Sequence, residues 1–434
     1  MQRKRRDRAR SPRHNEPVSR VDEIVLIERI GHQGDGIGQT DDGSVFVPFT
    51  VPGDRIRISR AGNRGVVREI IEPGPDRQTP LCPHFGACGG CGLQHVTGSA
   101  YVHWKRQKVR DALAHQGLGD VPIAALIESS PHTRRRTRVT AVRQGRTFRI
   151  GYNRRASHQV FALESCPVVE PEIETLFGRL KPLIECLGAG VGRLLISLTN
   201  TDTGMDILVT CDPSDDRDLS WQQRAQVSAW AEQVDAARLT FGQEVLIERR
   251  APVVRFSGVN VCPPPGAFLQ ASCDMERALV DLLRHGVADA RSVGDLFAGC
   301  GTLTFALAHR ARIWAVEGNA AMVGALKSAA SRAQGLKSVT TEHRDLFQQP
   351  LLAAELDRFD AVVFDPPRAG AAAQAAELAK SSVPRVVGVS CHPASFARDA
   401  RILCDAGFRL DRVTPIDQFL WSAQIELVGV FSRP

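Results

Sequence analysis

Three groups of residues in this 434-residue chain have the types and spacing to do chemistry. The first is Cys82-Pro-His-Phe-Gly-Ala-Cys88-Gly-Gly-Cys91, where three thiols separated by small residues let a loop wrap around a metal centre. Zinc usually takes pairs of Cys-x2-Cys knuckles or histidines, and only one such pair is present. Three close cysteines with a distant fourth suit an iron–sulfur cluster better, and Cys166 in Glu-Ser-Cys-Pro is the natural fourth, with zinc as the rival. The second group is Val293-Gly-Asp-Leu-Phe-Ala-Gly299-Cys-Gly301-Thr302, whose glycines let backbone approach a ligand at the end of a strand. Glu317 ends the next strand, where an acid can accept the two hydroxyls of a ribose. The third is Val389-Ser-Cys391-His-Pro, a thiol at a strand end beside that crevice, together with Glu426 inside the apolar run Ile425-Glu-Leu-Val. A lone glutamate in an apolar strand must be paired or functional. A buried structural cysteine is the competing reading of Cys391, and it would be preferred without the neighbouring motifs.

The elements that position these residues follow from their periodicity. Strand candidates at Ser292–Phe297, Ile313–Glu317, Ala361–Asp365 and Val386–Ser390 are each followed by an Ala-rich helical stretch, which predicts a doubly wound parallel sheet. Glycines and an acid alone fit nicotinamide-binding folds equally well. Asp365-Pro-Pro-Arg368 decides against them, because Asp-Pro-Pro at that strand end marks methyltransferases acting on planar nitrogen bases.

Further upstream, Glu23–Arg29, Gly43–Val47, Arg55–Ser59 and Gly65–Ile71 read as short strands with Gly turns, an OB-like β-barrel. A helix is predicted over Tyr101–Gly117, and residues 120–260 read as α+β, with strands around Arg138–Val142, Leu194–Leu198 and Asp206–Thr210. The domain boundaries expected are 1–20, a disordered basic tail; 21–76, the barrel; 77–260, a central domain carrying the cluster; and 261–434, the catalytic domain. The helix of residues 101–117 is expected to pack on the catalytic domain.

Composition bounds the partners. The formal charge of +7 is concentrated in residues 1–20, where eight basic residues face only Asp7 and Glu16. Between Ser129 and Leu163 there are nine arginines (Arg134, Arg135, Arg136, Arg138, Arg143, Arg146, Arg149, Arg154 and Arg155) and no acid. That absence of acids predicts a folded basic face for a polyanion. No apolar run is long enough to span a bilayer and no secretory leader is evident, so a cytoplasmic protein without a membrane partner is expected. Eleven cysteines in such a chain argue for metal or catalytic roles over disulfides. Cys186, Cys211, Cys262, Cys273, Cys300 and Cys404 are read as small buried hydrophobes.

Together these residues resemble the RNA uridine-5-methyltransferase family, closest to its bacterial 23S ribosomal-RNA members, from about residue 20 to the C-terminus. The resemblance implies a Rossmann-like S-adenosylmethionine-dependent methyltransferase domain, a TRAM barrel, and a [4Fe-4S] cluster held by Cys82, Cys88, Cys91 and Cys166. It implies Cys391 as the nucleophile and Glu426 as the general base. It also implies cofactor contacts from Phe297, Gly299, Gly301, Thr302, Glu317, Asp345 and Asp365. Gln270 of Phe268-Leu-Gln270 is implied near the cofactor and the target base. His392, Gln424, Ser272 and Thr302 depart from the family's Asn, His, Asn and Asn at those positions, which puts the substrate in question more than the reaction. The expected partner is RNA, ribosomal before transfer RNA, and the expected state a monomer. Two rivals stand beside this reading. One is a non-catalytic iron–sulfur RNA-binding protein with a degenerate methyltransferase fold. The other is a radical methylthiotransferase, which needs Cys-x3-Cys-x2-Cys where this chain has x5 and then x2.

Overall fold

The computed structural model describes residues 21–213 and 218–433. The basic tail expected over residues 1–20 lies outside the described residues. Two compact units are formed: one runs to Gln78 and adds His95–Thr97, and the other holds Thr79–Gln94 and everything from Gly98 onward.

The first unit is a closed barrel of five strands, β1 (Val21–Ile30), β2 (Gly36–Thr40), β3 (Gly43–Val47), β4 (Arg55–Ala61) and β5 (Arg64–Glu72), in the order β1-β2-β3-β5-β4. Alternate residues Val25/Ile27, Val45/Val47 and Ile56/Ile58 fill its interior, as the two-residue period of a strand dictates. Only four of these strands are evident from sequence. The strand not evident, β2, opens on Gly36, which reads as a turn residue. Its glycines are packing devices: a Cβ on Gly36 would lie 2.0 Å from Thr50 Oγ1, and one on Gly38 would lie 2.3 Å from Val25 Cγ1.

The second unit begins with the cysteine loop and α1 (Gly98–Ala114). A seven-stranded sheet follows, built from β6 (Arg136–Gln144), β7 (Thr147–Asn153), β8 (Val160–Ala162), β9 (Arg193–Thr201), β10 (Gly204–Cys211), β11 (Ala236–Phe241) and β12 (Glu244–Glu248). Its order is β12-β11-β10-β9-β6-β7-β8, with α2 (Pro171–Phe177), α3 (Leu180–Leu187) and α4 (Trp221–Gln233) contributing to one core. Ser220 starts α4 with a reciprocal capping box, its hydroxyl accepting from Gln223 N and its own N–H donating to Gln223 Oε1.

A hairpin of β13 (Val254–Phe256) and β14 (Val259–Val261) leads to α5 (Cys273–Val287). The second sheet is then laid down by β15 (Ser292–Leu296), α6 (Thr302–Ala308), β16 (Arg312–Glu317), α7 (Ala320–Arg332), β17 (Val339–His343), α8 (Ala353–Leu356) and β18 (Ala361–Phe364). It is completed by α9 (Ala372–Lys380), β19 (Arg385–Ser390), α10 (Pro393–Asp405), β20 (Arg409–Ile416) and β21 (Glu426–Ser432). The order is β17-β16-β15-β18-β19-β21-β20, parallel through β19 and closed by antiparallel β21 and β20.

Parallel strands covered on both faces must be apolar on both. Ala361 and Val363 accordingly enter one core with α5–α7, while Val362 and Phe364 enter another with α1, α9 and α10. Val109, Leu113, Leu118 and Leu126 lie in that second core, so residues 98–127 pack against this sheet. Val254, Phe256, Val259 and Val261 of the hairpin lie in the first core. No helix among the described residues is long and apolar enough to cross a membrane.

Candidate active site

The strand ends β15, β16, β18 and β19 converge on one edge of the second sheet, and β21 brings a fifth chain segment to it. Between β15 and α6 the backbone takes positive φ at Phe297 (61°), Gly299 (57°) and Gly301 (98°). Such a φ is strained for phenylalanine, and strain of this kind collects at ligand-binding turns. A Cβ at Gly301 would lie 2.6 Å from Phe305 Cε2, so the loop can hug α6 only with glycine there. Glu317 Oε2 accepts from Gly299 N at 2.9 Å and its Oε1 from Asn319 N at 2.8 Å, leaving further lone pairs on each oxygen. Thr302 is the first residue of α6. Asp345, beyond β17, accepts from Phe347 N at 2.9 Å, and the Phe347 ring lies 5.3 Å from that of Phe297. Beneath the loop, Asp295 is fully buried and hydrogen-bonded by Thr304 Oγ1 at 2.5 Å. Burial, with Asp365 and Glu317 adding repulsion, pushes its carboxyl up to about 7.

Gln270, Asp365, Cys391 and Glu426 come together near the ends of β18, β19 and β21. Gln270 Nε2 donates to Asp365 Oδ2 at 3.0 Å, and Gln270 Oε1 is buried without a hydrogen-bond partner. Glu426, the first residue of β21, is 3% exposed. Burial raises the carboxyls of both Asp365 and Glu426, and in Glu426 the neighbouring Asp365 adds to the rise. The Cys391 thiol, just beyond β19, is pushed up to about 11 by burial, then by Glu426 and Asp365, with Arg368 opposing. Cys391, Glu426 and Asp365 are therefore electrostatic neighbours although 61 residues separate the outer two in sequence, Asp365 and Glu426.

Two of the departing residues have clear local roles. His392 is the N-cap of α10, its Nδ1 facing Ser395 N at 3.3 Å, and burial plus Arg368, Lys108 and Arg398 favour its neutral form. Ser272 caps α5 by accepting from Met275 N.

The cysteine loop lies elsewhere in the same unit. Cys82, Cys88, Cys91 and Cys166 line one cavity of about 420 Å³, together with Arg134, Tyr152 and the Phe419–Leu420 segment. Burial pushes Cys91 up to about 12 and also raises Cys88 and Cys166, and the thiols raise one another further. Among the described residues, no three His, Cys, Asp or Glu side chains are gathered as the ligand shell of a single ion. All eleven cysteines are free.

Other expectations need correction. Cys273 is exposed, not buried, because it occupies the first position of α5; Arg135 Nη1 lies 3.3 Å from its sulfur. The nine arginines do not form a single face. Arg135 is buried, paired with Glu276 and bonded to Gln270 O, and Arg143 Nε ties β6 to Val191 O at 2.8 Å. Arg138, Arg146, Arg149 and Arg154 are exposed.

Sequence reasoning also missed a buried polar strap. Asp417 accepts from Lys105 Nζ (2.8 Å) and Tyr101 Oη (2.7 Å), Trp421 N donates to Tyr101 Oη, and Trp421 O accepts from Gly92 N and Leu93 N. Gln418 Nε2 donates to Glu426 Oε2 at 3.1 Å. The partners are more than 300 residues apart for α1, so no local pattern could signal the contact; an Asp-Gln pair following a strand was the only visible hint.

The family described as tRNA (Uracil-5-)-methyltransferase matches residues 264–433, and the TRAM domain matches residues 23–59. An uncharacterised RNA methyltransferase of Caulobacter vibrioides is 44% identical over 413 residues, covering 94% of this chain and 99% of that protein. The 23S rRNA (uracil(1939)-C(5))-methyltransferase RlmD of Halomonas elongata is 32% identical over 451 residues, covering 94% of this chain and 89% of that protein. The crystal structure of Pyrococcus abyssi tRNA (uracil-54, C5)-methyltransferase with S-adenosyl-L-homocysteine has the same fold: its TM-score is 0.69 at 20% identity, over 95% of this chain and 100% of that one.

Proposed function

Because the chain belongs to the family of S-adenosylmethionine-dependent RNA uracil-5-methyltransferases, we propose that it methylates carbon 5 of a uridine in ribosomal RNA through a covalent adduct on Cys391. The observation that carries this reading is the convergence of a thiol, two buried carboxyls and an unpartnered amide oxygen beside the positive-φ loop.

Carbon 5 of uracil is a weak nucleophile. The Cys391 thiol first loses its proton to solvent; the thiolate adds to carbon 6, forming a C–S bond and moving the ring electrons to an enolate, so carbon 5 becomes nucleophilic. S-adenosylmethionine, when bound, supplies the electrophilic methyl group that carbon 5 takes. Glu426 then removes the carbon 5 proton, the C5–C6 double bond re-forms and the thiolate departs. A carboxyl raised by burial is a stronger base than an exposed one, which suits it to a carbon acid. Gln270 Oε1, buried and unpartnered, can accept from the N3–H of a uracil, while Asp365 holds the amide in that orientation. Thiolate addition at carbon 6 and methyl transfer to carbon 5 both take place on ring faces, so the base must be swung out of any stack.

Phe297, Gly299, Gly301, Thr302, Glu317, Asp345 and Asp365 would hold the cofactor; the open space above Gly299 and the spare lone pairs of Glu317 fit it. We assign Cys82, Cys88, Cys91 and Cys166 to a [4Fe-4S] cluster. Four thiols lining one cavity of about 420 Å³ are the donor set such a group takes. It would supply a structural cross-link between the loop of residues 79–94 and the central sheet. The test of substrate is direct. RNA from a strain lacking the gene should gain 5-methyluridine in its 23S fraction when incubated with the enzyme and methyl donor; incorporation confined to transfer RNA, or none, overturns the assignment.

A further inference from the structure

Glu426 is not held by its own strand. Its Oε2 accepts from the side-chain amide of Gln418, on the connection between β20 and β21, and Gln418 Oε1 in turn accepts from Ala271 N. A backbone N–H can only donate, so the Ala271 contact fixes which end of the amide is oxygen, and the NH2 must face the carboxyl. Ala271 directly follows Gln270, whose amide is bonded to Asp365. Gln418 is buried, and its neighbour Asp417 is pinned by Lys105 and Tyr101 from α1. One side chain therefore links the carboxyl of Glu426 to the segment that faces the uracil edge.

We propose that Gln418 is a positioning residue for the deprotonation step: it turns Glu426 so that Oε1 is the oxygen left to take the proton, and its N–H donor favours the ionised carboxylate. The inference rests on the reading of Glu426 as the base. An amide donating to a carboxylate stabilises the charged form, against burial and the nearby Asp365, which favour the protonated form. Among the elements around β21, the titratable groups facing Glu426 are Asp365 beyond β18 and Cys391 beyond β19. Asp417 at the end of β20 is occupied by Lys105 and Tyr101, and Arg368 acts on Cys391.

The test is a pH series of single-turnover reactions on methyl-acceptor RNA, following both SDS-resistant protein–RNA adduct and released product. In Gln418→Met, the acid limb of adduct resolution should move up by about one pH unit, the worth of one hydrogen bond to a charged group. Adduct should build up roughly tenfold at pH 7, with the KM for RNA unchanged. Gln418→Glu keeps an acceptor for Ala271 N but replaces the donor with an acid, so its limb should move at least as far. A merely structural Gln418 predicts a Gln418→Met limb that superimposes on wild type, because an apolar side chain adds no charge of its own, and that result overturns the proposal; if the Met variant does not fold, Gln418→Leu is read in the same way. Failure of the underlying reading looks different: Glu426→Gln would then turn over without accumulating adduct, whatever Gln418 does.

Discussion

Replacing Lys105 with methionine should destabilise the protein more than almost any other single polar change, because it removes the cation from an ion pair in which both side chains have zero exposure. Lys105 Nζ is 2.8 Å from Asp417 Oδ1 and also donates to Gln424 O. Burial works to discharge the lysine and Asp417 works to keep it charged. In Lys105→Met, Asp417 keeps only the Tyr101 hydroxyl, and an uncompensated buried charge costs about 3–5 kcal/mol. At roughly 2 °C per kcal/mol for a unit of this size, the melting temperature should fall by about 6–10 °C. Scanning calorimetry at one fixed scan rate measures it. The double variant Lys105→Met/Asp417→Asn removes both charges, so it should recover at least half of the loss. A single variant within 1–2 °C of wild type, or a double variant no more stable than the single, would refute the claim that a desolvated pair holds the strap (about 1 kcal/mol or less on the same scale).

Other consequences can be checked alongside it. At pH 8 the Cys391 thiol should alkylate slowly with iodoacetamide, because burial and two acids hold it near 11; Glu426→Gln should speed labelling severalfold and Arg368→Ala should slow it, as read by peptide mass spectrometry, and an unchanged rate in both contradicts that electrostatic picture. Burial raises Asp295 from the ordinary 3.8 of an aspartate to about 7 in the folded protein, so the stability it contributes is present below about pH 4 and lost as pH rises towards 7. Asp295→Asn should thus gain on wild type over that window, by about 4 kcal/mol at most, in urea melts of cofactor-free protein; a pH-independent difference speaks against it. Anaerobically purified protein should carry iron and acid-labile sulfide and lose both in Cys166→Ala, whereas one zinc per chain and no sulfide would reject the cluster.

Much of the catalytic domain was legible because its strands are apolar on both faces and end in conspicuous residues. Ser292–Phe297 and Val386–Ser390 fell within a residue or so of β15 and β19, and the loops that follow carry Gly299 and Cys391. The antiparallel close of the sheet by β20 and β21 was not legible as pairing, since strand patterns show faces but not neighbours. Within the barrel, Gly36 looked like a turn residue because sequence cannot distinguish a glycine needed for φ from one needed for close approach. The arginine run concealed Arg135 and Arg143, which are spent on Glu276, Gln270 O and Val191 O inside the fold. Gln418 and Lys105 were invisible for the plainest reason: their roles exist only once distant segments meet.

The account stands or falls on what sulfur 391 does to RNA. Incubating Glu426→Gln with methyl-acceptor RNA and methyl donor, then digesting and sequencing by mass spectrometry, should yield a nucleotide bearing the new methyl group and bonded to Cys391. Cys391→Ala should give neither adduct nor 5-methyluridine. Full methylation by Cys391→Ala would contradict the covalent route outright.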